Sequence, residues 1–283
     1  SAASAPTKAS PRWTGTPNIS AGRPSIPVTG APTTPVRCSR ARINANRRGV
    51  KYETDIDIDT APNISDDSTK WAPLWSEIVY TRYNTSTDYW GRTNYTPTTG
   101  TGNYGELVTV YCPAAAQGLQ TMTQTAFNTY ADSLYALGGT YLDIGMIWGG
   151  RLSSPDGIFS STVNSAPSNG GDVSRHVLFM TDGEMAPNSD IDTAWGLEWW
   201  ERKVTSDGTT NNAARHTARF LAVCEAIKAK GIRVWTIAFT TGSATDLETC
   251  ASDNSYFSAD NATELNNAFQ EIAKQVGELR ITQ

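Results

Sequence analysis

A short apolar run, Val177 to Met180, ends abruptly in Thr-Asp-Gly-Glu. An unbroken apolar run predicts a parallel strand covered on both faces, and such a strand delivers its last residues to the carboxyl edge of a sheet. Open α/β sheets bind their ligands at that edge. Asp182 is therefore predicted to place a carboxylate at the carboxyl edge of a sheet, and Gly183 allows the chain to turn sharply after it. Taken alone, the segment favours a strand followed by an ordinary polar turn, so its meaning depends on the rest of the chain.

The residues after this run have the pattern of an α/β domain. Apolar residues at helical spacing predict a helix that ends at Gly231, and the buried strand Ile232 to Phe239 follows at once. Two parallel strands joined by a helix form one right-handed crossover unit. A short strand comes next, and Asn261 and Glu264 form an N-x-x-E cap at the start of a last helix. The apolar residues are Phe220, Leu221, Cys224 and Ile227 on the first helix, and Leu265, Ala268, Phe269, Ile272 and Val276 on the last.

A further helix is predicted before the first strand, and Gly138 and Gly139 are expected to end it. Its apolar residues are Met122, Phe127, Tyr130, Leu134 and Leu137. Only two clear buried strands and one short strand can be identified, whereas doubly wound sheets usually have about five or six. The pattern therefore predicts that strands are missing or that another region completes the sheet.

The chain divides into three regions by composition. Residues 1–37 are rich in Pro, Thr and Ser and are predicted to be extended. Residues 38–112 are predicted to form a loop-rich β insert held together by aromatic packing, although the aromatics could instead form a carbohydrate or protein contact surface. Residues 113–283 carry the α/β pattern. The insert's aromatics are Tyr52, Trp71, Trp75, Tyr80, Tyr83, Tyr89, Trp90, Tyr95 and Tyr104.

Composition excludes two classes of partner and favours one location. The 283 residues include 28 acidic and 23 basic ones, for a net charge of -5, with no basic stripe that would bind nucleic acid. No segment reaches the roughly 18 apolar residues of a membrane-spanning helix. An even cysteine count, little lysine and abundant Thr, Ser and Asn favour an extracytoplasmic location, in the periplasm, the outer membrane or outside the cell.

Thr140 is a second polar residue that belongs with Asp182. It follows a Gly-Gly break and precedes a short apolar helix, so its hydroxyl is predicted to lie at or near the helix N-cap. A hydroxyl and a carboxylate at one sheet edge are the oxygen ligands that suit Mg²⁺. These two residues are the candidate metal ligands, and they do not by themselves complete an octahedral site.

Four segments in this order carry a resemblance to a known family: Gly138 to Phe159, Ser174 to Asn188, Cys224 to Phe239, and Cys250 to Gln283. Together they resemble the carboxyl-terminal half of a von Willebrand factor A (VWA) domain. More narrowly, they are similar to TadG-like proteins of the bacterial Tad (Flp) pilus assembly system. The resemblance extends over about 112–283.

The resemblance implies a doubly wound, mostly parallel sheet flanked by helices, with a metal-ion-dependent adhesion site at its carboxyl edge. Three loops build that site in the family, and Thr140 and Asp182 match the second-loop threonine and the third-loop aspartate. The first-loop D-x-S-x-S motif does not occur in this chain. The resemblance thus implies that the chain begins partway through the domain, with the first strands and any membrane helix upstream of Ser1. The amino-terminal part of the same domain would then be one partner.

Two hypotheses of function follow from the resemblance. The first is a non-enzymatic, Mg²⁺-dependent binding or assembly module of a pilus or cell-surface adhesion apparatus, with protein partners. The second is a structural subunit of an extracellular assembly whose metal site is degenerate. An enzyme is not expected, because no G-x-S-x-G, phosphate loop or Cys-His pair is found; a hydrolase is a distant third hypothesis.

Three aspartates and two histidines are further candidates for metal-binding residues. Asp55, Asp57 and Asp59 alternate with isoleucines, which favours an amphipathic edge strand over a calcium loop, since the expected glycine and glutamate are absent. His176 and His216 lack any metal-binding spacing and are predicted to be structural.

The four cysteines are predicted to pair as Cys38 with Cys112 and Cys224 with Cys250. The second pairing rests on topology, because a helix and the segment after the next strand are neighbours in a doubly wound fold. The first pairing would tie together the two ends of the aromatic insert. The alternative for Cys224 is a small buried apolar residue in a reducing compartment.

Overall fold

A computed structural model describes residues 39–40, 58–65, 72–73, 82–98, 114–135, 139–168, 170–187, 192–198, 204–205, 212–239 and 244–278. All of them belong to one unit, Arg37–Gln283. The strands are β1 Ser39–Arg40, β2 Ala72–Pro73, β3 Arg82–Thr87, β4 Thr93–Thr98, β5 His176–Thr181, β6 Asp192–Thr193, β7 Gly196–Leu197, β8 Arg233–Ala238 and β9 Tyr256–Ser258. The helices are α1 Gln124–Asp132, α2 Leu142–Ser153, α3 Ser160–Val163, α4 Asn212–Lys228, α5 Thr245–Cys250 and α6 Ala262–Glu278.

The centre of the fold is a parallel sheet of three strands in the order β5-β8-β9. β5 pairs with β8 from His176 opposite Arg233 to Thr181 opposite Ala238. Helix α4 connects these two strands, so the predicted strand–helix–strand unit is confirmed as a parallel α/β unit. After the half-buried Arg233, every residue of β8 is buried, so both faces of this central strand are covered.

Helices cover the sheet on both sides. On one face, α2 and α4 pack against Val177 and Val234, and they bring Met146, Phe220 and Ile227 into the main core. On the other face, Trp235 and Ile237 pack against Ala268 and Ile272 of α6. The chain is thus confirmed as an α/β fold with a small parallel sheet and flanking helices.

Local sequence signals fix the ends of two helices as predicted. Asn261 Oδ1 accepts hydrogen bonds from the backbone N–H groups of Thr263 and Glu264, both at 3.0 Å. Glu264 reaches back to accept from the N–H of Asp260, one residue before the cap, at 2.9 Å and from Asn261 Nδ2 at 2.8 Å, so the two side chains bond reciprocally in a variant of the capping box. Helix α4 is followed by Gly231 at φ +72°, a left-handed conformation that favours glycine.

The prediction that β5 is covered on both faces was wrong. Val177 is buried, but Leu178 and Met180, on the opposite face, are 41% and 48% exposed. β5 is one of the two edge strands of the described sheet, and α6 packs on Trp235 and Ile237 of the neighbouring β8. The apolar run therefore predicted the strand correctly and its burial only in part.

Helix α1 also differs from its prediction. It ends at Asp132, before the glycines expected to stop it, where Ser133 donates from both N–H and Oγ to Tyr130 O, at 3.0 and 2.6 Å. None of its residues is buried, and Phe127 is 57% exposed. Helical spacing of apolar residues predicted the helix, but spacing alone does not show what packs against it.

Ile58 packs into the α/β core, while residues 60–65 are exposed, so the described end of the predicted amphipathic edge strand is a bend with its isoleucine buried. Ile58 is 4% exposed and belongs to the same apolar cluster as Ile227. It comes so close to α2 that a Cβ built on Gly150 would lie 3.0 Å from Ile58 Cγ2. Asp59 turns outward to Lys230, with 2.6 Å between Asp59 Oδ2 and Lys230 Nζ. Asp55 and Asp57 lie outside the described residues.

Part of the aromatic insert forms an antiparallel hairpin of β3 and β4, in register from Arg82 opposite Thr98 to Thr87 opposite Thr93. Its tip carries Tyr89 and Trp90, which are 94% and 76% exposed. Aromatic packing inside the insert was the expectation for these two residues, and it was wrong because the five-residue loop carries them beyond the paired strands.

The disulfide between Cys224 and Cys250 is present, with a Cα–Cα distance of 5.2 Å, and confirms that predicted pairing. It links α4 to α5 across the end of β8. Cys38 and Cys112 lie outside the described residues. Among the helices of the described part of the chain, none combines the length and the apolar character needed to cross a membrane.

Candidate functional site

The two predicted metal ligands are brought to the same edge of the sheet by a backbone bridge. Thr140 pairs with Ala186: the N–H of Thr140 donates to Ala186 O at 3.0 Å, and the N–H of Ala186 donates to Thr140 O at 3.1 Å. A Cβ on Gly183 would lie 3.7 Å from Thr140 Oγ1. The Thr140 hydroxyl therefore lies against the loop that carries Asp182, although 42 positions separate the two residues in the numbering.

The loop after β5 is held by a threonine hydroxyl. Thr181 Oγ1 accepts from the N–H of Gly183 at 3.1 Å and lies 3.2 Å from Gly183 O, to which it can donate. This local bonding closes the turn directly behind the strand and leaves Asp182 between the two anchored residues. Asp182 is exposed.

Thr140 does not act as the N-cap of the following helix. The cap position of α2 is Tyr141, without a side-chain hydrogen bond, and the helix begins at Leu142. The Thr140 hydroxyl is thus not used for capping, and it faces the loop after β5.

These residues fit a magnesium site in part. Thr140 and Asp182 supply one hydroxyl and one carboxylate on neighbouring loops, which are oxygen ligands of the kind Mg²⁺ prefers. The described stretches contain no group of three or more His, Cys, Asp or Glu side chains arranged to hold a metal. A complete site therefore needs ligands from water, from a partner or from segments beyond those described.

A buried polar cluster lies at the start of α2, and the contacts within it could not be predicted from the sequence. Asp143 is fully buried in the first turn of α2, where its Oδ2 accepts from Trp195 Nε1 at 3.0 Å and from His216 Nδ1 at 2.7 Å. The Arg219 guanidinium stacks 4.1 Å above the Trp195 ring. The cluster connects α2 to α4 and to the β6–β7 ribbon.

The cluster explains how Thr140 is held. Because Asp143 is anchored three residues after Thr140, the start of α2 cannot shift without breaking buried, charge-assisted hydrogen bonds. His216 is buried inside this cluster, in line with the structural role predicted for it. Sequence reasoning missed the cluster because Asp143 is 52 positions from Trp195 and 73 from His216, so no local spacing reports the contact.

A cleft of about 390 Å³ opens beside the candidate ligands. It lies between the loop after β5 and the first turns of α4 and α5. Its lining combines apolar side chains with two acidic ones, Glu184 and Asp246, and contains no Lys, Arg or His among the residues that the structure describes. The apolar members include Leu142, Met185, Ala214 and Leu247.

A second charged cluster lies away from this edge. Lys230 Nζ is 2.6 Å from Asp59 Oδ2 and 2.9 Å from Asp156 Oδ2, and Ser154 donates a short hydrogen bond to Asp59. Burial alone would raise the pKa of Asp59, but the hydrogen bonds from Lys230 and Ser154 outweigh it and hold that pKa below its ordinary value. The same contacts with the two carboxylates raise the pKa of Lys230. These ion pairs fasten the segment after Ile58 to the residues that follow α2 and α4.

Comparison with protein-family profiles, with curated proteins and with solved structures found no match for this chain.

Proposed function

We propose that this protein is a non-enzymatic binding or assembly module of the TadG-like VWA type, working outside the cytoplasm in a pilus or cell-surface adhesion apparatus. The proposal combines the resemblance of four sequence segments with a parallel α/β sheet that has helices on both faces. The Cys224–Cys250 disulfide supports an oxidising compartment, where such bonds persist.

One observation carries the proposal: the Thr140–Ala186 bridge joins the loop of the candidate threonine to the loop of the candidate aspartate. Thr140 and Asp182 match separate motifs of the family and lie in separate parts of the sequence. Residues chosen at random from two such segments would have no reason to meet at the carboxyl edge of a sheet, where ligands of open α/β folds bind. Their neighbourhood supports a shared role.

In the proposed mechanism, Thr140 and Asp182 would hold Mg²⁺ at that edge together with water and further oxygen ligands. Mg²⁺ keeps some of its waters when it binds protein, so one position remains exchangeable. An acidic side chain of a protein partner would replace that water. The contact would then depend on the metal and be reversed by a chelator.

The direct test is calorimetric titration of the protein with Mg²⁺. We expect the double variant Thr140→Ala, Asp182→Ala to lose binding. Asp172→Ala is the matched control, because Asp172 is an exposed aspartate just before β5, at the opposite end of the same strand. The site assignment is wrong if the double variant binds Mg²⁺ as tightly as the control does.

A second function is favoured by the small number of ligands. Because the described residues supply no group of three or more candidate side chains, the protein could instead be a structural subunit of an extracellular assembly with a degenerate site. In that case neither the unchanged protein nor any variant would bind Mg²⁺ in the titration. The same experiment therefore separates the two functions.

A further inference from the structure

The tip of the β3–β4 hairpin displays two large rings in water. Tyr89 and Trp90 are 94% and 76% exposed and pack edge to face, with ring centroids 5.3 Å apart. Arg92 lies beside them with 73% of its side chain exposed. Trp, Tyr and Arg are the residues that most often dominate the energy of protein–protein contacts.

The backbone of this tip is fixed by its own hydrogen bonds. Asp88 Oδ1 accepts from the N–H groups of Trp90 and Arg92 at 2.9 and 2.8 Å, and Asp88 Oδ2 pairs with Arg92 Nε at 3.0 Å. Gly91 takes φ +74°, which other residues rarely adopt. The rings are therefore presented in one orientation, and little conformational entropy is lost when they become buried.

The shape and polarity of the tip indicate a protein pocket as its complement. A convex hairpin end enters a concavity, and it lacks the groove in which carbohydrate is usually held. Both carboxylate oxygens of Asp88 are engaged in the turn, which leaves few hydrogen-bonding groups for sugar hydroxyls. A matching pocket would have apolar walls for the rings and acidic groups near Arg92.

The cleft beside the sheet edge of this same chain has those properties. Its volume of about 390 Å³ lies in the range that accepts small organic groups, so an aromatic side chain fits. Leu142, Met185 and Leu247 supply apolar surface, and Glu184 and Asp246 supply negative charge, with no basic residue in the described part of the lining. The tip does not occupy the cleft of its own chain, since both rings are exposed.

We propose that the Tyr89–Trp90 tip of one copy inserts into the cleft of a second copy, with Arg92 facing Glu184 and Asp246. The two surfaces are different parts of the molecule, so the contact is heterologous: each copy keeps one tip and one cleft for the next. Such contacts form open chains or rings. The inference does not depend on a bound metal or on the TadG-like assignment.

Sedimentation velocity over a range of protein concentrations tests the proposal in the presence of a chelator. The tip variant is Tyr89→Ala, Trp90→Ala, and the cleft variant is Glu184→Lys, Asp246→Lys. All four residues are exposed, so both variants should fold, which thermal melting verifies. The control variants are Tyr135→Ala and Asp172→Lys, which alter exposed residues of the same types elsewhere.

We expect the unchanged protein and both controls to form species that grow with concentration, and the tip and cleft variants alone to be monomers, with self-association at least tenfold weaker. A mixture of the two variants should stop at a one-to-one dimer, because it contains one intact tip and one intact cleft. Arg92→Glu should self-associate poorly and should pair better with the cleft variant than the unchanged tip does.

Three results would overturn the proposal: a monomeric unchanged protein at every concentration, self-association that survives in the tip variant, or a mixture of variants that stays monomeric. Magnesium titration of the tip variant keeps this test separate from the proposed function. The tip is not part of the candidate metal site. A tip variant that loses self-association but still binds Mg²⁺ therefore supports this inference independently of the proposed function.

Discussion

Replacing Ile58 by alanine should strongly destabilise the α/β core, although this residue precedes that core by more than 80 positions in the sequence. The side chain is 4% exposed and packs with Ile227 and Gly150. The change removes three buried carbon atoms, each worth about 0.8 kcal/mol. The remaining cavity adds to this loss, so we expect the free energy of unfolding to fall by about 3 kcal/mol.

The assay is urea unfolding followed by far-UV circular dichroism, with a thermal melt as a second readout. In a unit of this size, about 3 kcal/mol corresponds to a fall in melting temperature of about 6 to 12 °C. Ile64→Ala is the matched control, because Ile64 lies in the same segment and is 87% exposed. Its effect should stay within about 0.5 kcal/mol.

A double-mutant cycle tests the contact itself. Gly150→Ala places a Cβ 3.0 Å from Ile58 Cγ2 and 3.1 Å from Ile227 Cγ1. The overpacking lowers the free energy of unfolding, whereas the higher helix propensity of alanine raises it. With Ile58→Ala present, the new methyl group fills part of the cavity. The two changes should therefore couple by about 1 kcal/mol or more. Additive effects, or a loss below about 1 kcal/mol for Ile58→Ala, would refute the packing of this segment in the core.

Three further perturbations have expected outcomes. Replacing Cys224 and Cys250 by alanine should lower the free energy of unfolding in urea by about 3.5 kcal/mol, from a loop of 26 residues; a loss under 1 kcal/mol would argue against the bond. The pKa of Asp59 is lowered from 3.8 and that of Lys230 is raised from 10.5, so their pairing stabilises the fold fully between these two ordinary values. This stabilisation is lost as pH falls through the lowered pKa of Asp59 or rises through the raised pKa of Lys230. Urea unfolding at a series of pH values should show Lys230→Met less stable than the unchanged protein by at most about 1 kcal/mol inside this window, because the pair is partly exposed. The difference should fade beyond the two shifted pKa values, and a difference that is constant with pH would contradict the pairing. Asp143→Ala should cost about 3 to 5 kcal/mol in urea unfolding, since two buried donors lose their acceptor, and a nearly neutral result would exclude the cluster.

The sequence predicted those features that depend on short spacings or on the order of elements. The sequence predicts the cap at Asn261 and Glu264 because these side chains bond to each other's residues only three positions apart. The mostly apolar sequence Ile232 to Phe239 predicts a buried strand, and β8 is buried. Cys224 and Cys250 were paired because the α/β connection brings a helix close to the segment after the next strand.

Contacts between distant parts of the chain could not be predicted in this way. Ile58 lies in a segment whose alternating pattern suggested an edge strand, and only the fold shows that it fills a gap beside Gly150. In the sequence, Asp143 is an ordinary acidic residue of a first helical turn. Only the fold shows its hydrogen bond with His216, which is 73 positions away. For the candidate site, Thr140 was predicted from the resemblance to a known motif. Its contact with the loop after β5 depends on the backbone bridge to Ala186, which cannot be predicted from residue spacing.

The measurement that most directly tests a metal site at the sheet edge is paramagnetic broadening of NMR signals by Mn²⁺, which takes the same oxygen ligands as Mg²⁺. We expect low Mn²⁺ concentrations to broaden the backbone signals of Thr140, Asp182 and Gly183 first, and excess Mg²⁺ to restore them. The signal of Asp172, at the other end of β5, should stay sharp. Broadening spread evenly over exposed acidic residues, or signals at Thr140 and Asp182 that Mn²⁺ leaves unchanged, would contradict the proposed site.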